Sequence, residues 1–104
     1  MTNQLVDHIR AALRVVIDPE LGHNIIDLGF VYDISVDDGA ARITMTATTP
    51  GCPAIRFLKE GVVNAAARVP GVGSVDIVMT FDPPWAPSRI APIARASLGF
   101  AAVN

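Results

Sequence analysis

Two alternating runs joined by Asp37-Asp38-Gly39 constrain this chain more than any other feature. Phe30, Tyr32, Ile34 and Val36 alternate with Val31, Asp33 and Ser35, and beyond the turn signal Ala41, Ile43, Met45 and Ala47 alternate with Arg42, Thr44, Thr46 and Thr48. A period of two sends one side of each strand to a core and the other to water, and Asp-Gly favours a tight reversal, so an antiparallel hairpin is predicted here. The core side is oily and the other side rich in threonine, with Val31 and Val78 adding a modest apolar patch to it. A helix over residues 54–69 follows, its apolar stripe being Ile55, Leu58, Val62, Ala65, Ala66 and Val69, and Pro70-Gly71 ends it. A third strand over residues 74–81 carries Val75, Ile77, Met79 and Phe81 inward until Asp82-Pro83-Pro84-Trp85 breaks it.

The flanks are helical. Leu5, Ile9, Ala12, Leu13 and Val16 recur at helical spacing over residues 3–17, and Asp18-Pro19 stops the pattern because the residue before proline avoids the helical region. Residues 20–29 read as an irregular loop, and a short last helix is expected from near Ser88 to Gly99. Elements with one apolar face each are satisfied by two layers. The expectation is one α/β (α+β) domain over residues 1–104, ordered α-β-β-α-β-α, with helices on one face of a small mixed three-stranded sheet. The crossover through the second helix makes strand three parallel to strand two. The loops 18–29, 49–53 and 82–87 then converge on one edge of the sheet. Two copies of the chain can pair as a homodimer through the threonine-rich face with its Val31 and Val78 patch or through one of the sheet's two free strand edges.

Composition removes several classes of function. With 104 residues and 51% hydrophobic content the chain has enough material for a core, and a net charge of −2 with scattered basic residues gives no stripe for nucleic acid. No stretch spans a membrane. A single cysteine and the lack of a secretory signal point to a reducing cytoplasm. There is no serine-nucleophile motif, no phosphate-cradling glycine loop and no histidine beside the cysteine to act as its base, so no enzyme constellation forms.

The chemistry concentrates on Cys52, in Thr48-Thr49-Pro50-Gly51-Cys52-Pro53. Pro53 suits a first helical position, which puts the thiol at a helix N-terminus, where unpaired N–H groups and the helix dipole favour a thiolate. The alternative is a small buried hydrophobe at a strand-to-helix corner. Asp18 and Glu20 either lie near that thiol or organise the bend around Pro19, and Asp27 before Leu28-Gly29 suits a structural turn. A carboxylate close to Cys52 raises the thiol pKa, opposing the helix effect. His23 stands alone in its loop, and with Asp18 and Glu20 it makes no recognised metal spacing. Trp85, stiffened by neighbouring prolines, is either a partner-binding anchor or the lid on one end of the core.

These motifs, taken in order, resemble a known family. Asp18-Pro19-Glu20-Leu21-Gly22 with Asn24-Ile25-Ile26-Asp27-Leu28-Gly29-Phe30-Val31-Tyr32, then Thr48-Thr49-Pro50-Gly51-Cys52-Pro53, then Asp82-Pro83-Pro84-Trp85 with Leu98-Gly99 are similar to the signatures of small iron-sulfur cluster assembly proteins, SufT-like and PaaD-like, once grouped as a domain of unknown function. The resemblance implies an assembly or transfer factor rather than an enzyme, with iron-sulfur client proteins and the assembly machinery as partners. It makes Cys52 the cluster or partner thiol, supported by a loop surface of Asp18, Glu20, Asp27, Thr49 and Gly51. PaaD-like members that serve a multicomponent oxygenase extend into a cysteine-bearing C-terminal region that this sequence lacks, and Ile55 stands where related scaffolds carry the second cysteine of a Cys-x-x-Cys pair. Common clusters take four protein thiolates, so one thiol implies a cluster shared between chains or bound transiently, as a metal ligand through Cys52. Two other readings stay open: a noncatalytic accessory subunit of an oxygenase, docking through Trp85, and a thiol-dependent enzyme.

Overall fold

The computed structural model describes residues 2–48, 51 and 54–97, with side chains described over 4–48, 51 and 54–94. Helix α1 (Thr2–Ala12) continues into a 3-10 turn (Leu13–Val15); β1 (Val31–Asp37) and β2 (Ala40–Met45) form the hairpin; α2 (Ala54–Ala67) crosses to β3 (Ser74–Met79); a 3-10 turn (Pro87–Arg89) precedes α3 (Pro92–Ser97). The sheet order is β1-β2-β3, with β1 antiparallel and β3 parallel to β2. The hairpin closes as the sequence dictates: Asp37 pairs with Ala40, and Asp38 and Gly39 both have positive φ, 50° and 81°, as a two-residue type I′ turn needs.

Alternation holds across the sheet. Ile34, Ala41, Ile43 and Met45 are buried on one face together with half-buried Val36, Val75, Ile77 and Met79, while Asp33, Ser35, Arg42, Asp76 and Val78 are exposed on the other. Helices α1 and α2 pack on the apolar face, contributing Ile9 from the first, with Leu13 from the 3-10 turn after it, and Leu58, Val62 and Ala66 from the second to one continuous core. Among the described residues no helix is long and apolar enough to cross a membrane.

The differences from the sequence expectation have local causes. The pairing register slips between Val31 and Asp33, leaving Tyr32 as the extra residue of a bulge; Val31 therefore pairs with Met45 and packs on the core instead of joining Val78 outside. Strand β2 stops at Met45, and Thr46 is fully buried, its N–H donating to the Phe30 carbonyl at 2.8 Å, so it is no part of a solvated threonine face. The last helix starts at Pro92 rather than near Ser88, because residues 87–89 close a separate 3-10 turn; its expected end at Gly99 lies outside the described residues.

Candidate functional site

The register fixes which chain ends meet. Val31 at the start of β1 pairs with Met45 at the end of β2, and Met45 pairs with Met79 at the end of β3. The segments leading out of those ends therefore leave one edge of the sheet side by side, and the ladder continues there: Thr80 N–H donates to the Met45 carbonyl at 2.9 Å. Residues 46–48, which lead toward Cys52, depart from this edge. Cys52 and Thr49 themselves lie outside the described residues, while Gly51 is an exposed turn residue and α2 begins at Ala54.

The acidic stretch before β1 is two consecutive turns. In the first, Asp18 carboxylate oxygen Oδ2 accepts the Leu21 N–H at 3.1 Å, the Asp18 carbonyl accepts the Gly22 N–H, and a bridge from Ile17 to Asn24 closes the bend. Asp18 is only 2% exposed. Burial pushes its carboxyl above the ordinary value of 3.8, the Leu21 N–H opposes, and the charge of Glu20 adds to the rise. Glu20 itself is exposed.

The second turn, over 24–29, is a single helical turn capped at both ends, where the sequence read as irregular loop. Asn24 Oδ1 accepts the Asp27 N–H at 2.9 Å, an N-cap bond, and Asn24 Nδ2 donates to Asp27 Oδ2 at 3.0 Å, tying the two side chains together. At the other end the Phe30 N–H donates to the Ile25 carbonyl and the Gly29 N–H to the Ile26 carbonyl, with Gly29 at φ 75°, which is the Schellman pattern. The Asn-x-x-Asp spacing and the glycine two residues beyond it were the available sequence signals. Arg14 Nη1 also meets Asp27 Oδ1 at 2.6 Å. Burial raises the Asp27 carboxyl, but hydrogen bonds from Arg14 and Asn24 and the charges of Arg14 and His23 outweigh it, and the pKa falls below 3.8.

The segment after β3 is clamped to this second turn. Trp85 Nε1 donates to the Leu28 carbonyl at 2.7 Å, its ring meets Phe30 edge-on with centroids 5.4 Å apart, and the Ala91 N–H donates to the Asp27 carbonyl at 2.6 Å. Tyr32 hydroxyl donates to the Pro83 carbonyl at 2.9 Å while the Arg89 guanidinium lies 4.6 Å from the Tyr32 ring centre. Trp85 is half-buried; Asn24 and Tyr32 belong to the motif already quoted, whereas Arg14 and Arg89 are supporting residues that the sequence alone did not single out. Among the described residues no three histidine, aspartate or glutamate side chains converge as a metal site.

Residues 6–77 match the sequence profile of the iron-sulfur cluster assembly protein family. The chain belongs to that family. It is 39% identical to the Fe-S protein maturation auxiliary factor YitW of Bacillus subtilis, over 95% of this chain and 98% of the relative. It is 36% identical to the Fe-S protein maturation auxiliary factor SufT of Staphylococcus aureus, over 82% of this chain and 98% of that one. A crystal structure of a domain of unknown function from Bacillus anthracis superposes with a TM-score of 0.91 at 36% identity, covering 94% of each chain. The motifs around Asp18, Cys52 and Trp85 thus belong to an iron-sulfur cluster assembly protein, and the first of them is built as two consecutive turns ahead of β1.

Proposed function

We propose that this protein is a maturation factor that passes iron-sulfur clusters to client apo-proteins or couples the assembly machinery to them, with the cluster as cargo. The observation that carries the reading is the family membership of a chain whose single thiol follows residues leaving the sheet edge that Trp85 and the Asp27 turn border. Cys52 is the exchanging ligand: its thiolate bonds to iron as a ligand from the donor leaves, and the reverse exchange releases the cluster to the client without net redox change. Pro53 alone separates Cys52 from the 14-residue helix α2, whose dipole favours the thiolate. One thiol cannot complete the shell of a cluster, so the remaining ligands come from donor, client or a second copy of the chain. Glu20, Gly51 and the exposed part of Trp85 offer contact surface around it, while Asp18 and Asp27 hold the two turns in shape.

This reading implies a reducing compartment where clusters are built, with client proteins and assembly components as partners. Anaerobic reconstitution with iron and sulfide, followed by activation of an apo-client, compares the native chain with Cys52→Ser. Loss of cluster transfer with the fold retained is expected. Equal cluster occupancy and equal client activation by both proteins would remove Cys52 from the mechanism.

A further inference from the structure

Six large apolar side chains stand exposed among the described residues: Val15, Ile17, Phe57, Val63, Val78 and Ile93. The first three border one groove of about 270 Å³ between the turn after α1 and helix α2. Val63 borders an adjoining hollow of about 600 Å³ along α2, and the two share Asn64. Phe57, at 58% exposure, lies off the inward stripe of Leu58, Val62, Ala65 and Ala66, and Val15, at 73%, stands out from the turn after α1, so core packing accounts for neither. The floor is built for close approach: a Cβ on Gly61 would stand 3.2 Å from Val16 Cγ1, and Val16 and Ala65 are buried beneath the opening.

Charge says what the surface takes. No acid lines the groove, and Arg68 stands at its border; the adjoining hollow adds Arg56 and Lys59 against Glu60. Three cations to one acid is a local reversal in a chain whose acids outnumber its bases by ten to eight. Among the described residues none of the three cations lies in an ion pair, whereas Arg14 and Arg42 do. A second copy of this chain is a poor occupant, because a two-fold interface would bring these cations toward their own images.

We propose that this surface docks an acidic segment of a protein partner, whose large apolar side chains enter the Val15, Ile17 and Phe57 groove while its carboxylates meet Arg68, Arg56 and Lys59. The surface runs along the helix that begins two residues after Cys52, so a bound segment lies along the element that directly follows the thiol-bearing motif in the chain. The biological sense of the docking rests on the maturation role, but its test does not.

A short synthetic peptide of alternating leucine pairs and glutamates, and the same peptide with lysine for glutamate, are titrated into isotope-labelled protein. The acidic peptide is expected to shift the backbone amides of Val15, Ile17, Phe57 and Gly61 with salt-sensitive affinity, and Phe57→Ser to weaken it about tenfold or more. Arg68→Glu with Lys59→Glu should transfer the preference to the lysine peptide. Cys52→Ser should bind as the native chain does, so failure of the docking and failure of the thiol assignment are read separately. Equal binding of both peptides, shifts confined to other surfaces, or no shift at millimolar peptide would overturn the proposal. Two further results would replace the occupant: tighter peptide binding after truncation at Ser97 would assign the groove to the chain's own C-terminal segment, and self-association abolished by Phe57→Ser would assign it to a second copy.

Discussion

Trp85 donates its indole N–H to the carbonyl of Leu28, 57 residues earlier in the chain, at 2.7 Å. The bond spans the two loops that flank the sheet edge, and the edge-on contact with Phe30 holds the same ring from a second side. A Trp85→Phe substitution keeps a ring for Phe30 and deletes only the donor, so it should cost about 1–2 kcal/mol of stability, largely by leaving the Leu28 carbonyl short of a partner. Trp85→Ala removes the ring too, and a loss of about 2–4 kcal/mol is expected for this half-buried side chain. Urea unfolding followed by circular dichroism measures both, since the only tryptophan signal disappears with the mutation. A Phe variant as stable as the native chain would mean that the bond contributes nothing net.

Gly29 and Gly22 make a matched test of why glycine ends each turn. Both have positive φ, 75° and 71°, but a Cβ on Gly29 would lie 2.4 Å from the Arg89 carbonyl oxygen, and one on Gly22 meets nothing within 4 Å. Gly22→Ala should therefore show only the left-handed backbone penalty of about 1–2 kcal/mol. Gly29→Ala adds a backbone collision that must push residues 87–90 away, and its loss should exceed that of Gly22→Ala by about 1–3 kcal/mol. Comparable midpoints for the two variants would show that the packing of the Arg89 segment on the turn yields at little cost.

Asp27 links α1's exit to the second turn through Arg14, whose side chain is 51% exposed. An ion pair that open to water contributes about 0–1 kcal/mol, so Arg14→Gln should be a mild, salt-sensitive change. Asp27→Ala should cost more, about 1–2 kcal/mol, because it also strips Asn24 of its partner. The folded pKa of Asp27 lies below the ordinary value of 3.8, so its contribution is present above that value and is lost as pH falls through the folded pKa. Acid unfolding of Asp27→Asn should accordingly be shallower over that window than that of the native chain. An unchanged acid limb would remove Asp27 from the account.

The sheet was legible in the sequence because its signals are local and redundant: alternation around Asp38-Gly39 for the hairpin, and a helix of 3.6 period between two strands for the parallel crossover. The bulge at Tyr32 was not, because alternation carries on through Phe30, Tyr32 and Ile34 and only the pairing of Val31 with Met45 reveals the slip. Thr46 misleads for a related reason: its place in a polar alternating run does not disclose that β2 has ended and that the chain turns inward to meet Phe30. In the candidate site, motif order singled out Asp18, Asp27 and Trp85, whereas Arg14 and Leu28, which hold Asp27 and Trp85, lie 13 and 57 residues away along the chain. Contacts at such separations follow from the fold and leave no periodicity to read. The exposed position of Phe57, next to the core residue Leu58, is likewise settled by which side of α2 faces the sheet.

Asp18 has the opposite acid behaviour to Asp27. Its carboxyl is buried, accepts the Leu21 N–H, and titrates above the ordinary value of 3.8. In the window between the unfolded and folded pKa values the native state binds more protons, so Asp18 makes the protein less stable as pH rises through that window, and the cost of the buried charge is fully present above it. Asp18→Asn retains an oxygen for Leu21 and discards the charge; it should be neutral or stabilising at pH 7 and should lose the native chain's gain on acidification. Asp18→Ala also removes the acceptor and should be less stable than Asp18→Asn by about 1–3 kcal/mol at any pH, since the Leu21 N–H loses its partner and the turn its brace. Unfolding midpoints of both variants across the acid range separate the two effects. If the Asn variant is destabilised at neutral pH as much as the Ala variant, the negative charge itself is required at that bend, and the Leu21 hydrogen bond alone does not account for Asp18.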